Sequence, residues 1–300
     1  MIPLFRHSLA AALLVALAAP CHAQLFKLTR EQLVEITADN PFERFADGRP
    51  KIPDALLERA KGLSAEEVWA VLPGKGFKYQ WADGFQILHP GMKLIGRAFT
   101  VQFMPTRPDI MGALTANATK AGIARYTHQY ALDQLQPGDV FVADMFGKKV
   151  DGPIVGDNLF YYIMKATRSG GLVVDGAVRD LEGLVQIQMP AYFRHADPTP
   201  IRDVMLTGIN VPIRIGDATV NPGDLVFGDR EGVYFVPPSL VETILDQADV
   251  THIHDEWTKK KFAEGKYKSS EIYGSPSDPA LKKEYEDYLA KRLAEIKAKR

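Results

Sequence analysis

Hydrophobic and polar positions along this chain change their period several times, and each change predicts an element. Thr29 to Ile36 places Leu33 and Ile36 at helical spacing, Pro53 to Lys61 opens with a proline suited to a helix start, and Ser64-Ala65-Glu66-Glu67 reads as a capping box opening a helix through Val71. From Met92 the β content rises. Leu94 to Phe103 alternates and then fills in like a core strand, and Asp139 to Asp144 is a second strand ending in an acid. Between them Asp109 to Ala131 reads as one helix with several small residues. Leu159 to Met164 is an apolar run behind Gly156-Asp157-Asn158, a helix start in which Asp157 or Asn158 can cap. Leu172 to Val174, bounded by glycines, reads as a buried strand, Ala191 to Arg194 as a further strand, and Val211 to Val236 as several short strands joined by Gly and Pro turns. Val241 to Trp257 is helical, followed by a charged stretch to Lys268. Ser277-Asp278-Pro279 caps a last helix with Leu281, Tyr285, Tyr288, Leu289, Leu293 and Ile296 on one stripe. That stripe must pack on its own domain or on a neighbouring subunit. Short strands with interspersed helices suggest an α/β, layered β/β/α domain.

Composition narrows this picture. The 300 residues, 46% apolar and 24% charged, suit one well-buried domain plus additions. A net charge of −1 gives no basic field, so no nucleic-acid partner is expected. Arg6 and His7 precede an apolar run, Leu9 to Ala19, too short to span a bilayer, and Ala23 suits a cleavage position. Residues 1–23 are therefore expected to be a signal peptide and the mature chain to be exported, with no membrane attachment after cleavage. Pro20 before Cys21 argues against a lipoprotein. Cys21 is the sole cysteine, so the mature chain would offer neither a disulfide nor a thiol nucleophile.

Candidate chemistry concentrates between Asp151 and Leu184. Free N–H groups at the start of the helix after Gly156 attract a carboxylate or phosphate. The strand over Leu172 to Val174 leads to Arg179-Asp180. Arg179 offers a planar fork that matches a carboxylate, and Asp180 a hard oxygen for Mg²⁺, a metal that needs few protein carboxylates. Either motif alone reads as an ordinary helix cap or a surface ion pair. Together they describe a site for a small anionic substrate bound to a metal. Other candidates are weaker. His252-x-His254 cannot share a helix face, Gly74-x-Gly76 lacks the context of a dinucleotide site, and Lys148-Lys149 reads as a solvated loop.

The Gly156-Asp157-Asn158 triplet, followed by Gly171-Leu172-Val173-Val174-Asp175-Gly176-Ala177-Val178-Arg179-Asp180, resembles the RraA-like family. So do Pro137 to Asp144 upstream and Val220 to Asp229 and Glu231-Gly232-Val233 downstream. That family includes the class II 4-hydroxy-4-methyl-2-oxoglutarate aldolases, which also decarboxylate oxaloacetate. The resemblance implies an RraA-like swivelling β/β/α domain over 85–250, with a helical N-terminal extension over 24–84 and a helical C-terminal extension over 251–300. It implies a Mg²⁺- or Mn²⁺-dependent lyase that cleaves a small 2-oxo carboxylic acid to a pyruvate enolate, in a homotrimer or hexamer, and a periplasmic location. By residue, it makes Asp180 the metal ligand, Arg179 the catalytic and substrate-binding arginine, Asp157 the acid that holds a metal-bound water and passes protons, and the N–H groups of Asn158 and Leu159 the carboxylate cradle. Asp175 reads at least as well as a structural acid. Asp157 to Arg179 spans one residue more than the family spacing, placed in the Thr167 to Gly170 turn. The family's Ser-Asp pair is missing from the helix that carries Glu67 to Leu72. The acid contributed by a neighbouring subunit falls at Asp255 or Glu256. The alternatives are a non-catalytic binding or regulatory protein, as RraA is for RNase E, and an enzyme of the same fold acting on a different small acid.

Overall fold

The computed structural model describes residues 27–168 and 170–298, so the expected signal peptide, Cys21 and Ser169 lie outside the described residues. The helices α1 (Arg30–Ile36), α2 (Asp54–Ala60) and α3 (Ala65–Val71) come first. Thr29 and Ser64 close capping boxes with Gln32 and Glu67, as their spacing predicts. Short strands β1 (Trp81–Ala82) and β2 (Gln86–Ile87) follow, then the long β3 (Leu94–Pro105). The helix expected over Asp109 to Ala131 is two, α4 (Pro108–Lys120) and α5 (His128–Leu132). The break falls where Gly122 turns to a φ of +73° and Ile123 N–H returns to Ala118 O, a helix stop that the small-residue pattern concealed.

The chain continues through β4 (Asp139–Asp144), α6 (Asp157–Thr167), β5 (Gly171–Val178), α7 (Leu181–Leu184), β6 (Ala191–Ala196), β7 (Val204–Ile209), β8 (Ile213–Ile215), β9 (Ala218–Val220), β10 (Leu225–Asp229) and β11 (Gly232–Val236). It closes with α8 (Val241–Ala263), α9 (Ser269–Ile272) and α10 (Pro279–Ala298). The stretch after Trp257 that reads as merely charged continues α8 for more than a turn.

Among the described residues nine strands form one mixed sheet, in the order β1-β11-β10-β3-β4-β5-β6-β2, with β7 also on β3. The length of β3 follows from its partners. It pairs with β10 along Leu94–Arg97 and with β7 along Val101–Pro105, while β4 lies parallel to it along Arg97–Gln102. Strands β3, β4, β5 and β6 are parallel neighbours, and β4 and β5 are buried at every position. Two-sided burial is why Asp139 to Asp144 reads as a continuous apolar run rather than an alternating one.

Each face has its own core. Phe141, Ala143, Leu172 and Val174 point to the side where α6 packs through Phe160 and Ile163. Val140, Val142, Val173 and Tyr192 point the other way, under the β8–β9 hairpin with Ile213, Ile215, Ala218 and Val220. Fully burying each such aliphatic side chain is worth about 1.5–3 kcal/mol. The helix, sheet and hairpin form the expected α/β layers. A third cluster joins Val68 of α3 and Ile244 of α8 to Ile95, Phe227 and Val236 of the sheet. The stripe on α10 lies half-buried, and its Tyr285 ring meets Trp257 of α8 at 5.2 Å, so it packs on its own chain. No helix among the described residues is long and apolar enough to cross a membrane.

Candidate active site

The two sequence signals meet because a short extended segment joins them. Ile154 and Val155 are buried, and Ile154 N–H donates to Ala177 O at 3.1 Å while Arg179 N–H donates to Val155 O at 3.1 Å. The start of α6 is thereby stitched to the exit of β5, at the carboxyl end of a parallel strand, where open α/β sheets bind ligands.

The N-cap of α6 is Gly156, not Asp157 or Asn158, which are its first helical residues. The reason is steric: a Cβ at 156 would overlap Asp180 Oδ2 and stand 3.1 Å from Arg179 Nε. The carboxylate of Asp180 occupies the space a capping side chain would need. Phe160 N–H makes the return bond to Gly156 O at 2.9 Å, so the N–H groups of Asp157, Asn158 and Leu159 precede the first intrahelical bond. Asn158 N–H donates to Asp157 Oδ1 at 2.7 Å.

Asp180 sits in the left-handed region, with φ of 60°, and its carbonyl accepts from Gly183 N–H and Leu184 N–H as the chain turns into α7. Aspartate tolerates that conformation better than most residues. Gly183 in turn receives Asp157: a Cβ there would lie 2.7 Å from Asp157 Cβ and 3.0 Å from its Oδ2. Two close approaches, Asp180 on Gly156 and Asp157 on Gly183, therefore hold the acids in reciprocal register. Gly183 carries no chemical signal of its own in the sequence; it is marked only by the Arg179-Asp180-Leu181-Glu182-Gly183 continuation of the motif. Arg179 Nε lies 3.4 Å from Asp180 Oδ2, with the side chains 41% and 44% exposed. An ion pair that open to water adds little stability, so stability does not account for keeping it there.

Hence the structure brings Asp157, Asn158, Leu159, Arg179 and Asp180 together. Among the described residues no three His, Cys, Asp or Glu side chains converge into a complete metal cage. The donor set at the corner, carboxylate oxygens beside open space, fits Mg²⁺ or Mn²⁺, which complete their shells with water and substrate oxygens. Asp175 is engaged elsewhere: it is buried and accepts from Arg194 Nε at 2.6 Å, and Arg194 lies over the Phe85 ring at 3.9 Å. Glu256 accepts from Tyr288 Oη at 2.6 Å and from Arg292, which hold its carboxyl below the usual range, so within one chain it belongs to the α8–α10 pair. Asp255 lies 3.5 Å from Lys259 Nζ. His252 pairs with Glu67 at 2.6 Å and His254 bonds Gly274 O at 3.0 Å, so the two imidazoles serve separate contacts.

Residues 68–235 match the family model described as RraA-like, Aldolase/RraA. Over 126 residues the chain is 33% identical to a protein of Halalkalibacterium halodurans named "Putative 4-hydroxy-4-methyl-2-oxoglutarate aldolase", covering 42% of this chain and 59% of that one. It is 27% identical over 179 residues to Protein DlpA of Legionella pneumophila, covering 59% of this chain and 27% of that one. The chain thus spans less than two thirds of either relative's length. Among solved structures, Streptomyces coelicolor RraAS2, described as an unusual member of the RNase ES inhibitor RraA protein family, superposes with a TM-score of 0.58 at 28% identity, over 72% of this chain and 100% of that one.

Proposed function

Because the chain belongs to the RraA-like family, we propose that it is a metal-dependent lyase that cleaves a small 2-oxo acid to a pyruvate enolate. The substrates would be of the 4-hydroxy-4-methyl-2-oxoglutarate type, oxaloacetate, or both. The observation that carries this reading is the convergence of Asp180 and Arg179 on the N-terminus of α6 at Gly156. Mg²⁺ or Mn²⁺ held by Asp180 would supply the positive charge that polarises the 2-oxo group. The first-turn N–H group of Leu159 binds the substrate carboxylate, aided by the helix dipole, and Asn158 N–H joins it once it leaves Asp157 Oδ1, to which it donates at 2.7 Å in the free protein. Arg179 faces the 2-oxo oxygen and meets the negative charge that grows there as the C3–C4 bond breaks. In the retro-aldol reaction the 4-hydroxyl gives its proton to Asp157 as C4 becomes a carbonyl, and a proton returns to C3 to give pyruvate. In decarboxylation the same bond breaks, CO₂ leaves, and only the proton to C3 is needed.

Assembly as a homotrimer or hexamer and an exported, periplasmic location belong to the same proposal. Export rests on residues 1–23, and the periplasm on the family resemblance. A purely binding role would leave Asp157, Arg179 and Asp180 assembled at an open corner without a task. The test is pyruvate release from oxaloacetate and from 4-hydroxy-4-methyl-2-oxoglutarate with Mg²⁺ or Mn²⁺, repeated with EDTA. Metal-dependent release is expected. Release that EDTA leaves unchanged, or no release from either acid, would overturn the proposal.

A further inference from the structure

A second cavity lies away from these residues. A cleft of about 310 Å³ opens between α4, the turn into α5, and β7. None of its lining comes from α6, β5 or α7, which carry the site above. About half of its lining is apolar, with Phe103, Met111, Leu114, Met205 and Leu206. Polar side chains make up the other half of the lining, among them exposed Arg125 and Arg202, neither of which has an ion-pair partner among the described residues. Thr127 adds a hydroxyl oxygen that is buried with no hydrogen-bond partner. His128, whose imidazole is held below its usual range first by burial and then by Arg125, adds an uncharged edge at neutral pH.

A lining shared between apolar and polar side chains suits a small molecule that carries both characters, and this volume is at the small end of the usual range of about 300–1,000 Å³. Two guanidinium groups select a carboxylate. Walls of Phe, Met and Leu offer nothing to a bare inorganic anion but favour a compact apolar body, and methionine adapts to aromatic rings. We propose that this cleft binds a small carboxylate with an aromatic or branched apolar body, at a site separate from Asp157, Arg179 and Asp180. The proposal does not rest on the lyase reading.

Methionine methyls report it directly, because Met111 and Met205 line the cleft while Met164 lies on α6. The full chain would be labelled with [methyl-¹³C]methionine, assigned by single Met→Leu variants, and titrated with 3-phenylpropionate and with the neutral 3-phenylpropanol. Saturable shifts of Met111 and Met205 are expected, with Met164 unmoved. The alcohol should bind about tenfold or more weakly, and so should the acid to an Arg125→Ala/Arg202→Ala variant, the effect of losing roughly one charge-assisted contact. Arg179→Ala should leave the titration unchanged. Equal shifts with the alcohol, an affinity indifferent to the arginines, loss of binding in Arg179→Ala, or no shift up to the solubility of the probe would each overturn the proposal. The alcohol comparison uses the unaltered protein, so it decides the matter even if the double variant fails to fold.

Discussion

The carboxylate of Asp180 lies over the Cα of Gly156, so close that any Cβ at 156 would collide with Oδ2. Gly156 is thus required by the acid that follows a different element, more than twenty positions along the chain. Gly156→Ala should displace Asp180 while leaving the buried Ile154–Val155 segment in place. Turnover should fall on the order of 100-fold, the effect of about 1 Å of misplacement at a reacting group. Pyruvate release and far-UV circular dichroism on the same sample check this: lost activity with unchanged ellipticity is expected, and full activity would show that the close approach has no part in turnover.

Asp180→Ala separates function from stability more sharply. Its pairing with Arg179 is open to solvent, so losing the pair costs little, and the unfolding free energy should fall by no more than about 2 kcal/mol, chiefly because alanine tolerates the left-handed backbone at 180 less well than aspartate. Metal-dependent pyruvate release should disappear. A variant as active as the parent with Mg²⁺ would remove Asp180 as the metal ligand.

Much of this was legible in the sequence, and the reasons differ by element. Thr29 and Ser64 announce their helices because a capping box is local chemistry between residues three apart. Asp139 to Asp144 is legible because burial on both faces leaves no alternation to misread. Gly156, Arg179 and Asp180 are legible as a motif, but the capping residue was not. Asp157 and Asn158 are stronger N-caps than glycine by local preference, and a carboxylate from another element overrides that preference. The same limit hides Gly183, whose role exists only once α7 is folded against α6. The break at Gly122 was masked by alanines and threonines that read as helix on either side. The bond from Tyr288 to Glu256 crosses two helices, and no spacing rule encodes it.

The N-terminal segment is bound into the fold by charge as well as by apolar packing. Arg49 holds Asp139 of β4 with two bonds, at 2.7 and 3.0 Å, and both side chains are buried. Burial pushes Asp139 upward and Arg49 opposes it. Arg49→Ala would leave a buried carboxylate unpaired and should cost about 3–5 kcal/mol, whereas Arg49→Met with Asp139→Leu should recover most of it. Urea unfolding of both variants tests this. Equal losses would show that the pair itself, rather than the orphaned charge, carries the stability.

Asp224 gives the fold a pH dependence of definite sign. It is 3% exposed, and its Oδ2 accepts from Asn221 N–H at 2.8 Å. Burial is the largest influence on it and pushes the carboxyl from 3.8 up to about 7, with the Asn221 bond pulling the other way. A raised folded value means that the native state holds the proton more tightly than the unfolded chain. The associated stability is fully present below about pH 4, falls as pH rises, and is lost above about pH 7, by at most about 4 kcal/mol at 1.36 kcal/mol per unit. Asp224→Asn keeps an oxygen for Asn221 N–H and cannot ionise. Relative to the parent, its unfolding midpoint in urea should rise between pH 5 and pH 8, because the parent's loss has only begun at pH 5 and is complete at pH 8. If the two midpoints run parallel between those values, Asp224 does not titrate differently in the folded and unfolded states.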